Sequence, residues 1–356
     1  MTPRFSTSLR VGTACLIAAV WQLGNLPAAS AQQPPPAAAP EEAPKPSPMA
    51  TPAMTGPLVA NPNPMYLDIT PFFGPMYVTG AVTGFGMAQT DPILGLDRRW
   101  NFDVSNAQAT LQTTEGMFQF FLEPGIYALP TLGLPYKRVT DMPTSTRLFG
   151  GLPVAWGKVV FNDNFSIQGG KLPTIMGAEY MFTFQNMNIE RGLLWAQENV
   201  INRGVQANLT TGPVAWSLSL NDGFYTGEYN YMIGSAAWTI NPTNSVVVMG
   251  GGPFDRVTAT NTPVGPQYNN SMMFMLGYTY NDAPWTITPY VQYTHVDRDT
   301  GLSLVDSSTI GGAILASYKF NDYISLAGRW EYIDSSGAAT VGGAGLLGYG
   351  PGSSAM

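Results

Sequence analysis

The sequence is poor in the side chains on which most chemistry depends. It has one cysteine, Cys15, and one histidine, His295, and only 11% of its residues are charged, against about 25% in an average soluble protein. Cys15 lies in an N-terminal segment that we expect to be removed, so the mature chain would have no disulfide, no cysteine-ligated zinc and no cysteine nucleophile. Cysteine-dependent enzymes are thereby excluded.

Long apolar runs are also missing, apart from one short run near the N-terminus. Arg4 and Arg10 precede the apolar stretch 11–20, and the small residues Ala29-Ser30-Ala31 follow it. This order is typical of a cleaved export signal, and the run is too short to span about 30 Å of hydrocarbon. We predict a signal peptide at residues 1–31. Its removal leaves 14 Lys and Arg against 23 Asp and Glu, a net charge of −9, which argues against a nucleic-acid partner.

The segment that follows the predicted signal is rich in proline and alanine. Residues 32–64 include PPPAAAPEEAPKPSP and end in NPNP. So many prolines with so few large apolar residues cannot build a core. We expect an extended periplasmic tether, followed by one folded unit at residues 65–356.

Apolar and polar residues alternate along most of residues 75–333. In the stretch 285–296, Trp285, Ile287, Val291 and Tyr293 share one face, and the opposite face carries threonine and glutamine. Alternation with a polar second face is typical of a strand that is wetted on one side. With no helix-length apolar run and 12% aromatic residues, it predicts an all-β fold, a transmembrane antiparallel up-and-down β-barrel with apolar side chains toward lipid.

The connections between these segments alternate between short and long. Short turns recur at Asn162-Asp163, Asn241-Pro242, Asn281-Asp282 and Asn321-Asp322, the last three at intervals of 40 residues (281−241 and 321−281). Two membrane strands, a turn and a loop need about that much chain. About thirteen segments can be counted, at 75–86, 98–110, 117–124, 147–161, 165–171, 198–209, 214–220, 231–240, 245–252, 271–280, 285–296, 309–319 and 323–333.

The odd number of segments conflicts with the even strand numbers of bacterial single-chain barrels. Residues 337–356 are glycine-rich and end in Met356 rather than in an aromatic residue that closes a strand. We therefore expect 14 or more strands in the complete barrel, and a chain that lacks at least one closing strand at its C-terminus.

Two motifs in residues 154–224 resemble a known family. The first is a strand that enters a GK-x-P-T-x-x-G-x-E loop, and the second is a strand with N-R-G, formed by Gly170, Lys171, Pro173, Thr174, Gly177 and Glu179 and by Asn202, Arg203 and Gly204. The stretch is similar to the OmpL-like outer-membrane β-barrel porins. This resemblance implies a passive channel for ions and small hydrophilic solutes in the outer membrane of a Gram-negative cell.

The long connection 172–197 is the candidate pore constriction. It is the third external loop in the count, and in general diffusion porins the third loop folds into the barrel. It carries or adjoins five charged residues, Lys171, Glu179, Glu190, Arg191 and Glu198. Opposed charges would set a transverse field, and the glutamates would favour cations. The alternative is an external loop with solvated charges.

Other residues are assigned by the face of the strand on which they lie. The lumen-facing candidates are Lys158, Gln292, Lys319, Arg329 and Glu331, because a lysine or arginine turned toward lipid would cost about 2–4 kcal/mol near the bilayer midplane. Aromatic residues near segment ends predict an interface girdle, formed by Trp100, Trp238, Trp285, Trp330 and Tyr332.

No residues predict a catalytic site, a metal site or a cofactor. His295 has the lipid-side parity of Val291 and Tyr293, whereas a barrel hydrolase needs a histidine that faces a nucleophile. Three functions stay open: a diffusion channel, a non-conducting structural or adhesive barrel and, more weakly, a hydrolase. The first two differ in lumen size, since about 14 strands leave an aqueous lumen and about 8 do not. The expected partners are lipid and small solutes, and homo-oligomerisation stays open.

The alternation of loop lengths predicts the orientation in the membrane. Single cysteines placed in loops 221–230 or 253–270 should react with a membrane-impermeant thiol reagent on whole cells, because long loops face outward. Cysteines in place of Asp282 or Asp322, in short turns, should not react, and the cysteine-free parent is the control. Labelling of the short turns from outside would overturn the orientation.

Overall fold

A computed structural model describes residues 61, 63–69, 73–90, 98–139, 149–260, 262, 264–337 and 354–355. The predicted signal peptide and nearly all of the predicted tether lie outside these residues, and both stay predictions.

Strands are the main regular structure of the described chain. Its helical elements are two single turns of 3₁₀ helix, Thr183–Gln185 and Trp195–Gln197, and one turn of α-helix, Pro266–Asn269. Across the described ranges, no helix combines the length and the apolar character needed to cross a membrane. The strands are β1 (Met65–Asp68), β2 (Pro75–Ala88), β3 (Trp100–Thr113), β4 (Phe118–Glu123), β5 (Gly125–Tyr127), β6 (Val154–Asn162), β7 (Phe165–Pro173), β8 (Ile201–Thr211), β9 (Val214–Asn221), β10 (Tyr231–Asn241), β11 (Asn244–Pro253), β12 (Met272–Asp282), β13 (Trp285–Val296), β14 (Ser307–Lys319), β15 (Ser325–Gly337) and β16 (Ser354–Ala355).

Apart from β5, each strand pairs in antiparallel fashion with the next one along the chain, which makes the sheet an up-and-down meander. The order runs from β1 to β16 without a crossover, and β5 leaves the path to pair with β3 while β4 pairs with β6. Among the described residues no pairing joins β1 to β16. The predicted all-β, up-and-down barrel fold is confirmed. The expectation of 14 or more strands is met, and the sequence shows only about thirteen of them because β1, β5 and β16 are too short to show an alternation.

The two faces of the sheet differ as the alternation predicts. On β13, Val291 is 54% exposed whereas Gln292 is 2% exposed, and Thr286, Thr288 and Thr294 share the inner face with Gln292. Large apolar side chains are exposed along the outer face of the sheet, as expected for a surface that lipid covers. Polar side chains therefore collect on the inner face.

Asparagine side chains make the short turns. Asn321 Oδ1 accepts hydrogen bonds from the backbone N–H groups of Tyr323 at 2.8 Å and Ile324 at 2.9 Å. Asn162 and Asn241 accept from the backbone two residues further on in the same way. An asparagine that binds its own backbone in this manner imitates a backbone turn. The 40-residue interval is thus the repeat of one hairpin and one loop.

The aromatic residues of the predicted girdle all lie on the outer face and are exposed. Trp100 begins β3 at the long-loop end of the sheet, whereas Trp238 and Trp285 lie beside short turns. Trp330 and Tyr332 occupy the middle of β15, because this strand continues to Gly337. A position at the membrane interface is therefore wrong for these two residues by their place in the strand.

The assignment of faces predicts opposite effects for arginine at two positions of β12. Leu276 lies mid-strand on the outer face and is 50% exposed, while Thr279 lies on the inner face beside Thr288. Leu276→Arg should lower the free energy of unfolding in lipid vesicles by about 2–4 kcal/mol. Thr279→Arg, the matched control, should cost much less. Equal losses in urea titrations of the two variants would contradict the assignment.

Candidate functional site

The connection between β7 and β8 folds into the space that the sheet encloses. This inner loop (residues 174–200) has no exposed residue, and Leu194 and Gln197 are fully buried. An external loop with solvated charges would expose its polar side chains to water. The structure therefore contradicts that alternative and places the loop in the lumen.

Internal hydrogen bonds hold the shape of the inner loop. Its two ends meet where Thr174 N–H donates to the Val200 carbonyl at 3.0 Å and Thr174 Oγ1 donates to Asn199 Oδ1 at 2.9 Å. Asn186 accepts from the Tyr180 N–H and donates to the Tyr180 and Phe182 carbonyls, each at 2.8 Å. Such bonds satisfy backbone groups that a strand would have paired.

One arginine of the barrel wall anchors the inner loop. Arg329 on β15 approaches Glu179 Oε1 with Nη1 at 2.9 Å and Glu331 Oε2 with Nε at 3.2 Å. The same Nη1 donates to the Glu190 carbonyl at 2.6 Å. The three charged side chains of these ion pairs are almost fully buried. A buried charge of this kind is tolerated only when it is paired and hydrogen-bonded.

Backbone N–H groups of the inner loop complete this arrangement, which we call the anchor cluster (Glu179, Arg329 and Glu331). Gly192 N–H donates to Glu179 Oε2, and Leu193 N–H donates to Glu331 Oε2, each at 2.8 Å. A Cβ atom at residue 192 would overlap the Glu331 carboxylate. The glycine is thus required by this close approach.

Two further strands of the same wall bind the loop through uncharged groups. Gln292 of β13 donates from Nε2 to the Leu194 carbonyl at 3.0 Å and to Gln197 Oε1 at 3.1 Å. Thr309 of β14 donates to the same Gln197 Oε1 at 3.1 Å. The inner loop therefore lies against β13, β14 and β15, on the side of the lumen opposite to its own strands.

Arg191 is fully buried but lies outside the anchor cluster. It donates to the Met181 carbonyl and to Thr183 Oγ1, and its backbone pairs with Pro130 and Leu132. Burial lowers the pKa of the Arg191 guanidinium below its ordinary value, although arginine stays protonated in proteins. The side chain therefore ties two loops together and does not face Glu190 across an opening.

Glu198 is buried beside the anchor cluster without a partner. Neither carboxyl oxygen has a hydrogen bond to another described residue. Burial, with the nearby charges of Glu179 and Glu331, raises the pKa of Glu198 well above its ordinary value. This shift favours the neutral form of the carboxyl group.

A cavity of about 1230 Å³ lies beside the inner loop. The loop forms one side of it, and most of the rest is formed by residues of β1–β4, β6–β8 and β11–β13. The lining is dominated by thioether, aromatic and hydroxyl groups, among them Met176, Phe184, Trp156, Met249, Met275 and Thr279. The inner loop thus fills part of the lumen and leaves open space next to it.

The remaining predicted site residues occupy different positions. Lys158 faces inward on β6, with Nζ 5.7 Å from the centre of the Trp156 ring. Lys319 has inward parity but lies exposed at a short turn, where Nζ is 2.8 Å from Asp322. Lys171 faces outward with its cross-strand partner Arg203, so its assignment to the constriction was wrong.

His295 lies on the outer face. Its Nε2 is 3.0 Å from Asp297 Oδ1, near the long-loop end of β13. Within the described ranges, no group of three or more His, Cys, Asp or Glu side chains could hold a metal ion.

Several residues of the site were not predicted. Met249 faces inward by strand parity, which the alternation could have revealed. Gln197 and Asn186 lie in the inner loop, where no periodic pattern exists and only the folded contacts identify them.

A single antiparallel meander with an apolar outer face, a polar inner face and a loop folded inside defines a porin-type β-barrel. The sequence profile of the family described as "Putative beta-barrel porin-2, OmpL-like" matches residues 75–356, and the chain belongs to this family. No curated protein matches the chain.

Similar solved structures are barrels of outer membranes. The outer membrane channel DcaP of Acinetobacter baumannii is 10% identical, with a TM-score of 0.45 over 73% of this chain and 79% of that chain. The anion-selective porin from Comamonas acidovorans is 11% identical, with a TM-score of 0.41 over 81% and 83% of the two chains. OmpT of Vibrio cholerae is 12% identical, with a TM-score of 0.41 over 78% and 94%.

The anchor cluster predicts a strong effect of Arg329 on the position of the inner loop. Arg329→Gln should lower the free energy of unfolding by about 3–5 kcal/mol, because it leaves two buried carboxylates without their cation. It should also expose the inner loop to trypsin at Arg191 in the folded protein. Lys319→Gln breaks an exposed ion pair and is the matched control, with no measurable change expected. A loop that stays protected in Arg329→Gln would contradict the anchoring role.

Proposed function

We propose that the protein is an outer-membrane channel through which small solutes diffuse passively. The observation that carries this proposal is the inner loop, which lies inside the barrel beside a cavity of about 1230 Å³. In this proposal the loop narrows the path without closing it. The family supports a porin-type barrel, and the outer membrane is the location proposed for it.

In this proposal the charged residues of the loop mainly hold the loop in position and contribute little to ion selectivity. One carboxylate oxygen of Glu179 pairs with Arg329, and the other accepts a hydrogen bond from the Gly192 N–H. A carboxylate with these partners contributes little net field to a passing ion. We therefore expect the cation preference from Glu179 and Glu190 to be weak, since Arg329 neutralises the better-placed of the two.

The lining of the cavity favours uncharged or amphipathic solutes. Methionine and aromatic side chains offer polarizable contact surface, and the hydroxyl groups of Thr279, Thr286 and Thr288 line the same cavity. Small molecules with an apolar part and a few polar groups fit such a surface better than hydrated ions do. No catalytic residue is part of the proposal.

A non-conducting structural barrel is the second candidate. The observation in its favour is the close packing of the inner loop, where Leu193 and Leu194 join a buried cluster with Ile233, Leu315 and Ile333. If the loop closed the path entirely, the cavity would be a dead end. Conductance separates the two candidates.

Planar bilayers that contain the full-length protein should show channel conductance. Thr279→Trp, which fills part of the cavity, should lower the single-channel conductance roughly two-fold, because a bulky side chain narrows the permeable cross-section. Leu276→Trp, on the lipid face of the same strand, is the control and should conduct as the parent does.

Conductance of the parent without an effect of Thr279→Trp would place the path elsewhere. A parent protein that inserts with heat-modifiable migration but does not conduct would support the structural barrel. Faster swelling of liposomes in small amphipathic solutes than in sugars of equal size would support the solute class.

A further inference from the structure

Two basic side chains stand next to each other on the lipid-facing side of the barrel. Lys171 on β7 is the direct cross-strand partner of Arg203 on β8. Both share their face with Val205 and Leu220, which are exposed apolar residues of β8 and β9. Among the strand residues that the structure describes, these are the lysine and the arginine that face outward.

Lys171 and Arg203 together carry two positive charges, and the described residues supply one carboxylate to pair with them. Like charges directly opposite each other in a sheet are destabilising. Asp222 neutralises one of the two, since its Oδ2 lies 2.7 Å from Arg203 Nε and its side chain is fully buried. Lys171 Nζ donates to the carbonyls of Phe149 and Leu152, each at 2.5 Å, and no carboxylate of the described chain pairs with it. One positive charge therefore remains.

Aromatic contact fixes the arginine in place. The Arg203 guanidinium lies 4.2 Å from the centre of the Tyr225 ring, and Lys171 Nζ lies 5.9 Å from it. A guanidinium stacked in this way is preorganised, so that less entropy is lost when it binds an anion. Its side chain stays 38% exposed.

A groove of about 460 Å³ opens at this pair. It lies close to the long-loop ends of β7, β8 and β9, where the apolar belt meets the external loops. Gly170 and Gly204 contribute only backbone to the groove, and its walls include Lys171, Arg203, Val205, Leu220 and Tyr229. The groove is thus cationic at Lys171 and Arg203 and apolar at Val205 and Leu220. We expect it to lie at the level of the lipid headgroups.

We propose that this groove binds a phosphate-bearing lipid of the outer leaflet. The phosphate would accept hydrogen bonds from Arg203 and Lys171, and an acyl chain would lie along Val205 and Leu220. Charge complementarity and continuity with the lipid-facing surface select this occupant over a soluble anion. Lysine and arginine near a membrane surface are favourable for anionic lipids, whereas the same charges in the apolar belt would be costly.

The test uses full-length protein in dodecyl maltoside and native mass spectrometry with dimyristoyl phosphatidic acid. Retention of this lipid should exceed that of dimyristoylglycerol, which lacks the phosphate. Lys171→Gln should weaken the retention about tenfold, because it removes a charge-assisted hydrogen bond. Lys171→Arg should restore it. Lys158→Gln removes a lysine from the lumen side of the adjacent strand and should bind as the parent does.

Three results would overturn the proposal. Equal retention of dimyristoyl phosphatidic acid and dimyristoylglycerol by the parent would do so without any variant, even if Lys171→Gln failed to fold. Equal loss in Lys158→Gln and Lys171→Gln would show a dependence on net charge alone. Displacement of the lipid by inorganic phosphate at the same concentration would show a site for a free anion instead.

Discussion

The fold depends on one constraint, which is that a strand in a membrane can turn its polar side chains in only one direction. Lipid offers no hydrogen bonds, so the backbone of each strand must pair with its neighbours and the outer face must be apolar. Most threonine, asparagine, glutamine and charged residues of the strands are then directed to the lumen, whereas Lys171 and Arg203, close to strand ends, face outward. The polar inner surface on which the inner loop packs is a consequence of the membrane outside.

Arg329 shows how this constraint leads to a site. On β15 it precedes the outward-facing Trp330, and its own inward direction buries a cation in the lumen. Glu331, two residues further along the same face, supplies one carboxylate. This single partner from the barrel wall leaves other N–H donors of the guanidinium without an acceptor. Glu179 and the Glu190 carbonyl of the inner loop complete it. A buried pair of this kind adds little net stability over apolar packing. Its effect is to select one position of the loop among many.

The alternation predicted the strands and the faces because side chains in a sheet repeat every two residues, and asparagine predicted the turns because its carbonyl oxygen binds the following backbone. The site could be predicted only in part. Arg329 and Gln292 follow from strand parity, but their partners in the inner loop depend on contacts between residues some 100 to 150 positions apart. Lys171 was assigned to the wrong face because Gly169 and Gly170 precede it, and glycines do not show which face of the strand is apolar. β1 and β5 were missed because three or four residues are too few for a pattern.

The placement of charge on the two faces follows from the same balance of energies. Inside, Arg329 meets two carboxylates, and two N–H groups of the loop reach those carboxylates, so the buried arginine is paired by its own chain. Outside, Arg203 meets one carboxylate, Lys171 meets only carbonyl groups, and the pair stays open toward the membrane. A charge that is fully paired by its own chain organises structure, whereas a charge that is left incompletely paired at a surface is available to a ligand. This difference separates the anchor of the inner loop from the groove on the lipid face, although both are built from strand residues of the same sheet.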